Sequence, residues 1–185
     1  GRVMALDGIV QTTEGDEFIY HEMLAHVPIL AVKAAKGRVA KVLSVGGGEG
    51  GCIREVLKHK NLVCTMVEID PGVIELSRKH LPNHHAGAFD DKRANIVIAD
   101  GAKFVKETAE RYDVIIIDST DPVGPGAVLF TEEFYADCKR CLAPGGVLVT
   151  QNGVPYLQGP ELQSSVRSFR KLFKEGGCYL AVVPT

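Results

Sequence analysis

The chain has 185 residues, with 45% apolar and 24% charged side chains, which suits one compact domain with a full hydrophobic core. A net charge of −2 without a dense lysine and arginine run argues against nucleic acid, and the lack of a long apolar run or signal-peptide pattern argues against a membrane. Five cysteines scattered through apolar segments, an odd number, favour free thiols in a reducing compartment, so we expect a cytoplasmic protein.

The N-terminal segment is predicted to form a β-hairpin followed by a helix. Two short apolar stretches, 2–6 and 9–13, flank Asp7-Gly8, a dipeptide typical of a two-residue hairpin turn. Residues 16–30 then have the apolar periodicity of a helix. We therefore predict a small hairpin remnant that leads into the main part of the chain.

Beyond this segment, apolar runs bounded by turn residues alternate with helical patterns. The predicted strands are 41–45, 63–68, 95–99, 112–118, 146–151 and 178–183. The predicted helices are 51–59, 72–80, 102–108, 131–141 and 161–173. Because the strands are nearly continuous in Val, Ile and Leu, they indicate a parallel sheet that is covered on both faces. The sequence therefore predicts an α/β fold with a doubly wound, mainly parallel, Rossmann-like sheet over residues 31–185, preceded by residues 1–30 as a hairpin and linking helix.

A glycine-rich loop, residues 46–51, joins the first of these strands to its helix and contains Gly46, Gly48 and Glu49. Glycines permit a tight turn and let a ligand approach main-chain atoms closely. Such a loop alone is a weak indication, because a simple strand-to-helix turn has the same composition. The strand before it and the helix after it are the context that a nucleotide-binding loop requires.

Acidic residues close the next two predicted strands. Glu68 lies 20 residues beyond Gly48, where a carboxylate can accept hydrogen bonds from both ribose hydroxyls, although it could also be a solvated strand end. Asp100, followed by Gly101, is placed to accept a hydrogen bond from an adenine amino group, but is equally suited to be a helix N-cap. Together with the glycine loop, these residues predict a nucleoside ligand.

Carboxylates in the same loops decide which nucleoside is favoured. A dinucleotide such as NAD would place its pyrophosphate near four acidic residues, which repel phosphate. These residues are Glu49, Asp100, Asp118 and Asp121. A cationic sulfonium nucleoside therefore suits this crevice better.

The fourth predicted strand ends in Asp118, and Asp121 follows in a loop rich in proline and glycine. The carboxyl ends of parallel strands, near the topological switch point, are where such folds bind ligands. Asp121 precedes a proline and could be a turn initiator, whereas Asp118 at the strand end is harder to explain without a function.

Taken together, these residues resemble the polyamine aminopropyltransferase family, and within it the bacterial spermidine synthases most. The resemblance covers nearly the whole chain. It rests on segments 9–14, 16–23, 46–51, 54–56, 68–70 and 118–125 and on Gln151. The fold that it implies is that of S-adenosylmethionine-dependent methyltransferases, with the small N-terminal hairpin. Relative to the family, most of an N-terminal β-domain and the final strand of the sheet lie outside this sequence.

The resemblance implies a role for each matching position. Three positions match residues that hold the nucleoside of decarboxylated S-adenosylmethionine: Gln11, Glu68 and Asp100. Glu49, which is Asp in many members, matches the residue at the amino end of the aminopropyl chain. Asp118 matches the catalytic base, and Asp121 matches a carboxylate that binds the acceptor amine. Three further positions match residues that line the acceptor cleft: Tyr20, His21 and Gln151.

The implied reaction transfers the aminopropyl group of decarboxylated S-adenosylmethionine, a co-substrate, to putrescine, giving spermidine and 5′-methylthioadenosine. Agmatine, cadaverine or spermidine are alternative acceptors. Direct displacement requires neither a metal nor a prosthetic group. From the same resemblance we expect a homodimer or homotetramer.

Two other functions remain open. A methyltransferase of the same fold explains the glycine loop and Glu68 equally well, but it does not explain Tyr20 and His21 combined with Asp118 and Asp121. A non-enzymatic relative that binds a nucleoside or a polyamine would keep the same carboxylates without turnover.

Two patterns that suggest metal binding have simpler explanations. Cys138 and Cys141 have the spacing of a redox or zinc pair, but no second pair accompanies them, so we interpret them as structural. His84 and His85 fall in residues 82–93, which we interpret as a surface loop with solvated side chains. We therefore expect no metal site.

Overall fold

The computed structural model describes residues 1–6, 8–120, 122, 124–153, 156 and 158–184. Asp7 of the predicted hairpin turn and Asp121 of the predicted acceptor site lie outside these residues. The strands are β1 (Val3–Leu6), β2 (Ile9–Thr13), β3 (Lys41–Gly46), β4 (Val63–Glu68), β5 (Ala94–Ile98), β6 (Tyr112–Asp118) and β7 (Leu142–Thr150). The helices are α1 (Glu17–Lys36), α2 (Gly51–Leu57), α3 (Pro71–His80), α4 (Pro82–His85), α5 (Gly101–Glu107), α6 (Glu132–Cys141) and α7 (Gly159–Leu172), with 3₁₀ turns at Ala88–Asp90 and Gly124–Phe130.

Five parallel strands form the central sheet in the order β5-β4-β3-β6-β7. The chain moves outward on one side from β3 to β5 and then returns to place β6 beside β3, so the topological switch point lies between β3 and β6. At this point Gly46 is paired in register with Asp118. The predicted doubly wound sheet is confirmed, and its switch point brings the glycine loop to the end of β6.

Each face of the sheet has its own apolar core. On one face, side chains of α1 and α2 such as Ile29 and Ile53 pack against the sheet, and both are fully buried. On the other face, Val105 of α5 and Tyr135 of α6 pack against Ile115. Because both faces are covered, the strands can be apolar along their whole length, as their sequences indicated.

The predicted hairpin is confirmed, with β1 antiparallel to β2 and an irregularity between Met4 and Ala5. It is attached to the main body through polar contacts. The Thr12 hydroxyl lies 3.0 Å from His84 Nε2, and Arg2 Nη1 donates to the carbonyl of His80 at 2.8 Å.

Helix α1 is longer than predicted and ends at Lys36 rather than at residue 30. Residues 31–36 are mainly Ala and Lys, which favour helix, and Gly37 ends the helix with φ 76° while donating to the carbonyl of Lys33. The boundary suggested between residues 30 and 31 therefore falls inside α1, and the division of the chain into two units stays a prediction.

The predicted strand at 178–183 is wrong, because these residues form no ladder with the sheet. Leu180 and Val182 are 71% and 80% exposed, and the Tyr179 hydroxyl instead donates to the carbonyl of Met23. An apolar run becomes a strand only where a neighbouring strand accepts its hydrogen bonds, and none of the described residues does so here.

The interpretation of residues 82–93 as a solvated loop is also wrong. The segment contains α4 and a 3₁₀ turn, and His84 is fully buried against Thr12. The ring of His85 stacks on Phe89 with 4.9 Å between the centroids. The two histidines are therefore packing residues rather than exposed side chains.

Cys138 and Cys141 lie on the buried side of α6, and both are free and fully buried in the core. None of the described helices combines the length and the hydropathy needed to cross a membrane.

Candidate active site

The glycine loop after β3 packs directly against the end of β6. A Cβ atom at Gly46 would lie 2.0 Å from the backbone oxygen of Asp118, and one at Gly47 would lie 2.7 Å from Asp118 Oδ2. Both glycines also have positive φ values, 84° and 78°, which other residues rarely adopt. Glycine is therefore required here for space as well as for backbone conformation, and it lets the Asp118 carboxylate lie on the loop.

Glu68, at the end of β4, lies against the same loop. A Cβ atom at Gly48 would meet Glu68 Oε2 at 2.8 Å, while Glu68 Oε1 accepts from the backbone N–H of Asp70 at 3.0 Å. Glu68 is 8% exposed, and burial raises the pKa of its carboxyl group. The predicted neighbourhood of Glu68 and Gly48 is present, with the carboxylate fixed at the strand end.

Asp100 and Gly101 form the turn from β5 into α5. Asp100 is exposed and accepts from the backbone N–H of Lys103 at 3.0 Å, so it caps the helix. A Cβ atom at Gly101 would lie 2.4 Å from Cγ1 of Val45, which shows how closely this turn approaches β3. Asp100 is therefore the N-cap of α5, as one of the two interpretations of the sequence predicted. Its carboxylate still lies at the carboxyl edge of the sheet.

Two consecutive side chains of α1, Tyr20 and His21, contact Asp118 and its neighbour Glu49. The Tyr20 hydroxyl donates to Asp118 Oδ1 at 2.6 Å, and His21 Nε2 lies 2.9 Å from Glu49 Oε1 without aligning its N–H on that oxygen. One side-chain polar atom each of His21, Glu49 and Asp118 lies within 4.8 Å of the others. Asp118 Oδ2 is buried and has no hydrogen-bond partner among the described residues. The cluster therefore has unused acceptor capacity facing the glycine loop.

The two carboxyl groups of this cluster have different proton affinities. Burial, together with the charge of Glu49, raises the pKa of Asp118 to about 7. Burial also acts to raise the pKa of Glu49, but the neighbouring His21 outweighs it and lowers that pKa. Burial and the Asp118 charge raise the pKa of Tyr20 far above its usual range, so its hydroxyl stays a donor. At neutral pH Glu49 is an anion, and Asp118 can gain or lose a proton.

His21 is protonated at neutral pH. Burial acts to lower its pKa, but contacts with Glu17 and Glu49 dominate and raise it to about 10. Its Nδ1 lies 2.5 Å from Glu17 Oε2, so both ring nitrogens face carboxylate oxygens. A metal ion would therefore have to displace a proton from His21 before this ring could join Glu49 and Asp118 as a ligand.

The remaining predicted residues differ in how they relate to this cluster. Gln151 extends the β6–β7 pairing through its backbone, and its side chain donates to the carbonyl of Ser119 at 2.8 Å, one residue beyond Asp118. Gln11 is exposed on the hairpin and donates to the carbonyl of Ile9 at 3.3 Å, with no described hydrogen bond to the cleft. Asp121 lies outside the described residues.

The sequence indicated no role for Glu17 or Arg54. In the structure, Glu17 contacts His21 of the cluster, and Arg54 contacts Glu17. Arg54 donates to both carboxylate oxygens of Glu17, at 2.8 and 3.0 Å. The spacing of Glu17 and His21, four residues apart on one helix, is a sequence signal that could have found the first of these contacts. Nothing in the spacing of Arg54 indicates the second.

Known proteins resemble this chain along its whole length. Polyamine aminopropyltransferase from Ruegeria sp. (strain TM1040) and polyamine aminopropyltransferase 1 from Pseudomonas aeruginosa are each 59% identical over 186 residues, which covers 100% of this chain and 64% of theirs. The chain thus spans just under two thirds of the length of these curated relatives.

Two solved structures have the same fold. A spermidine synthase in complex with the transition state analogue AdoDATO matches with a TM-score of 0.87 and 47% identity, over 94% of this chain and 58% of that one. Spermidine synthase from Thermotoga maritima matches with a TM-score of 0.84 and 47% identity, over 94% and 57%. A family model described as the spermine/spermidine synthase domain matches residues 17–185. The chain therefore belongs to the spermine/spermidine synthase family.

Proposed function

We propose that this chain carries the active site of a polyamine aminopropyltransferase. The substrates are decarboxylated S-adenosylmethionine and an amine, with putrescine as the acceptor, and the products are spermidine and 5′-methylthioadenosine. The observation that carries the proposal is the buried pair of carboxyl groups, Asp118 and Glu49, with opposite pKa shifts beside the glycine loop. A relative with 47% identity was solved with the analogue AdoDATO, which supports the same class of donor.

The donor nucleoside occupies the carboxyl edge of β3, β4 and β5 in this proposal. Glu68 accepts hydrogen bonds from the ribose hydroxyls, and the glycine loop, including Gly46 and Gly48, allows the ligand to approach the backbone. Three further positions complete the nucleoside site: Gln11, Asp100 and Gly101. Asp100 is available for the adenine amino group because capping uses only one of its oxygens.

Charge explains how the donor is selected. The ionised Glu49 attracts the ammonium group of the aminopropyl chain. Ordinary S-adenosylmethionine carries a carboxylate at the same end, which Glu49 repels. The decarboxylated donor is therefore favoured over the commoner one.

The acceptor amine lies on the other side of Asp118. Tyr20 orients the Asp118 carboxylate through its 2.6 Å hydrogen bond, and Gln151 fixes the carbonyl of Ser119 in the following loop. We include Asp121 as the carboxylate for the distal amino group, and His21 as part of the cleft wall. The carboxylates Asp118 and Asp121 suit a diamine that arrives as a dication.

Transfer requires the attacking amine in its free form. An alkylammonium has a pKa of about 10.4, as lysine does, so releasing its proton at pH 7 costs roughly 4 to 5 kcal/mol. Asp118 accepts this proton, and the nitrogen lone pair attacks the carbon beside the sulfonium. The N–C bond forms as the C–S bond breaks, and the electron pair goes to sulfur, which leaves as a neutral thioether. The rate depends on holding nitrogen, carbon and sulfur in line.

The pH dependence follows from the state of Asp118. Because its pKa is about 7, its basic form is populated above that pH and lost below it. We expect kcat/KM to rise as the pH increases from 5.5 to 8.5, with an apparent pKa near 7. The pH dependence of kcat/KM reports the ionisation of groups in the free enzyme, so it can be compared with this pKa of Asp118. A profile that is flat over this range, or that falls, would remove Asp118 as the base.

Removing the Glu68 carboxylate should mainly weaken donor binding. Hydrogen bonds to a charged group contribute about 1.5 to 3 kcal/mol each, so losing two of them in Glu68→Ala should weaken the Kd by at least ~100-fold, measured by calorimetry with 5′-methylthioadenosine. Glu75→Ala is the matched control, because Glu75 is exposed on α3 and the substitution removes the same charge. Equal affinities in the two variants would contradict the ribose-binding role.

The reaction itself is tested with a panel of acceptors. The protein is incubated with decarboxylated S-adenosylmethionine and putrescine, cadaverine, agmatine or spermidine, and products are measured by mass spectrometry. We expect 5′-methylthioadenosine in equal amount to the new polyamine, with putrescine the preferred acceptor. Methyl transfer from S-adenosylmethionine without aminopropyl transfer would favour a methyltransferase, and binding without turnover would favour a non-enzymatic relative.

We also propose a cytoplasmic homodimer or homotetramer that does not depend on nucleic acid or membranes. Four of its cysteines are buried free thiols, which suits a reducing compartment. The oligomeric state rests on the family alone and is measured by light scattering.

A further inference from the structure

A chain of buried charges runs behind the candidate active site, from α2 to the cleft. Arg54 donates through both terminal nitrogens to Glu17, at 2.8 and 3.0 Å, and Glu17 Oε2 lies 2.5 Å from His21 Nδ1. The side chains of His21, Glu17 and Arg54 are 3%, 9% and 13% exposed. Charged groups this deeply buried are stable only when they are paired, so the three side chains form one electrostatic unit.

The imidazole of His21 is held in one orientation. Its Nδ1 faces Glu17, its Nε2 lies 2.9 Å from Glu49 Oε1, and its ring covers Gly51 at the start of α2. A Cβ atom at Gly51 would lie 2.3 Å from the ring Cε1, so the ring lies directly on the backbone. An imidazole that faces a carboxylate at each nitrogen avoids placing a lone pair against an anion only when both nitrogens carry a proton.

We propose that Glu17 and Arg54 are positioning residues that hold His21 as a cation against Glu49, so that Glu49 stays ionised and the cluster's exchangeable proton belongs to Asp118. The inference rests on the proposed aminopropyl transfer. It adds a reason why two neighbouring carboxylates take different roles, one binding the donor ammonium and the other accepting a proton. Neither Glu17 nor Arg54 touches a substrate in this scheme.

The groups that face His21 support this assignment of charge. Three carboxylates surround it, Glu17, Glu49 and Asp118, and the nearby basic side chains are Arg54 and His84. Burial acts to raise the pKa of Glu17, but His21 and Arg54 lower it to about 2, so Glu17 is charged at neutral pH. Burial lowers the pKa of His84, so that ring is neutral. His21 is therefore the cation that faces the cleft, and its charge depends on Glu17.

Two close carboxylates without such a cation would share one proton, and neither would have a fixed role. The His21 charge stabilises the anion of Glu49, the nearer group, most strongly. It also limits how far the pKa of Asp118 rises, because His21 acts against burial and Glu49 there. Loss of the His21 charge should move the proton affinity of Asp118 upward.

Arg54 is itself fixed from several sides. It donates to Glu55 Oε1 at 2.8 Å and to the carbonyls of Asn83 and His84 at 3.1 and 2.8 Å. This fixes the direction from which Glu17 is held. It also means that substituting Arg54 would disturb α4 and the fold, so Glu17 is the better residue to change.

The test is Glu17→Gln, which keeps the shape of the side chain and removes its charge. The ring nitrogens of His21 are followed by ¹⁵N NMR against pH in both proteins. In the unmodified protein we expect His21 to stay protonated until about pH 10, and in the variant to titrate ~3 pH units lower, in the range in which Asp118 titrates. In kinetics, the acid limb of kcat/KM should move upward by roughly one pH unit, while the alkaline plateau of kcat stays within about twofold.

Glu55→Gln is the matched control, because Glu55 is the other carboxylate bound to Arg54 and is 1% exposed. We expect it to lower stability without changing the His21 titration or the acid limb. Unchanged His21 protonation in Glu17→Gln, or equal shifts in both variants, would overturn the proposal. If Glu17→Gln does not fold, the unmodified protein still tests the proposal, because titration of His21 below pH ~8 in that protein would also overturn it.

The NMR measurement does not depend on turnover. A protein that shows the expected His21 titration but no aminopropyl transfer would contradict the proposed function and leave the Glu17–His21 pairing standing. A protein that transfers aminopropyl groups with an ordinary His21 titration would contradict only the pairing.

Discussion

Asp118→Asn is expected to lower kcat by at least ~100-fold, the low end of what a general base contributes. Asparagine has nearly the same shape and can still accept the hydrogen bond that Tyr20 donates to this position at 2.6 Å. It cannot take the proton of the attacking amine. Donor affinity should stay within a few-fold, because in this scheme Glu68 and Glu49 carry most of the donor binding.

Asp113→Asn provides the control for this variant. Asp113 lies on the same strand as Asp118, at its other end, where it accepts from Lys36 Nζ at 2.6 Å and from the backbone of Ala40 at 2.8 Å. Its loss should lower the midpoint of thermal unfolding but leave kcat unchanged. If Asp118→Asn kept its turnover, or if Asp113→Asn lost as much, the assignment of the base would be wrong.

Gly47→Ala is expected to abolish most activity through the same carboxylate. The added Cβ would lie 2.7 Å from Asp118 Oδ2, closer than any real contact allows, so either the loop or Asp118 must move. A displacement of about 1 Å at a reacting group can cost on the order of 100-fold in rate. The substitution also places alanine at φ 78°, which strains the backbone.

Gly87→Ala is the control that separates the effect of backbone strain from the effect of displacing the Asp118 carboxylate. Gly87 has φ 82°, almost the same as Gly47, but a Cβ there would meet nothing within 4 Å. Both variants should therefore lose similar stability in thermal unfolding, while only Gly47→Ala loses kcat. Equal activity in the two variants would show that the contact with Asp118 does not matter for catalysis.

Much of the fold could be predicted because its strands have strong local patterns. Strands Val63–Glu68 and Tyr112–Asp118 begin and end where the sequence placed them. Since a parallel sheet brings its carboxyl edges together, Glu68 and Asp118 could be assigned to one edge without a structure. The failures concern segments whose state depends on distant partners. Residues 178–183 have the apolar pattern of a strand, but no described strand pairs with them.

The site shows the same division. Glycines and carboxylates at strand ends are visible in the sequence, and the resemblance to a family added roles for them. His84 was expected in solvent because nothing local shows that Thr12, 72 residues away, would cover it. The pairing of Arg54 with Glu17 spans 37 residues and had no pattern to indicate it, whereas the step from Glu17 to His21 is a helical spacing.

The central claim is that an acidic cleft binds a cationic nucleoside. The most direct test of this claim is to measure which form of S-adenosylmethionine the protein binds more tightly. Calorimetry with decarboxylated and ordinary S-adenosylmethionine compares two ligands that differ by one carboxylate, next to Glu49. We expect the decarboxylated form to bind at least ~10-fold more tightly, and Glu49→Gln to reduce that preference. Equal or tighter binding of ordinary S-adenosylmethionine by the unmodified protein would contradict the account.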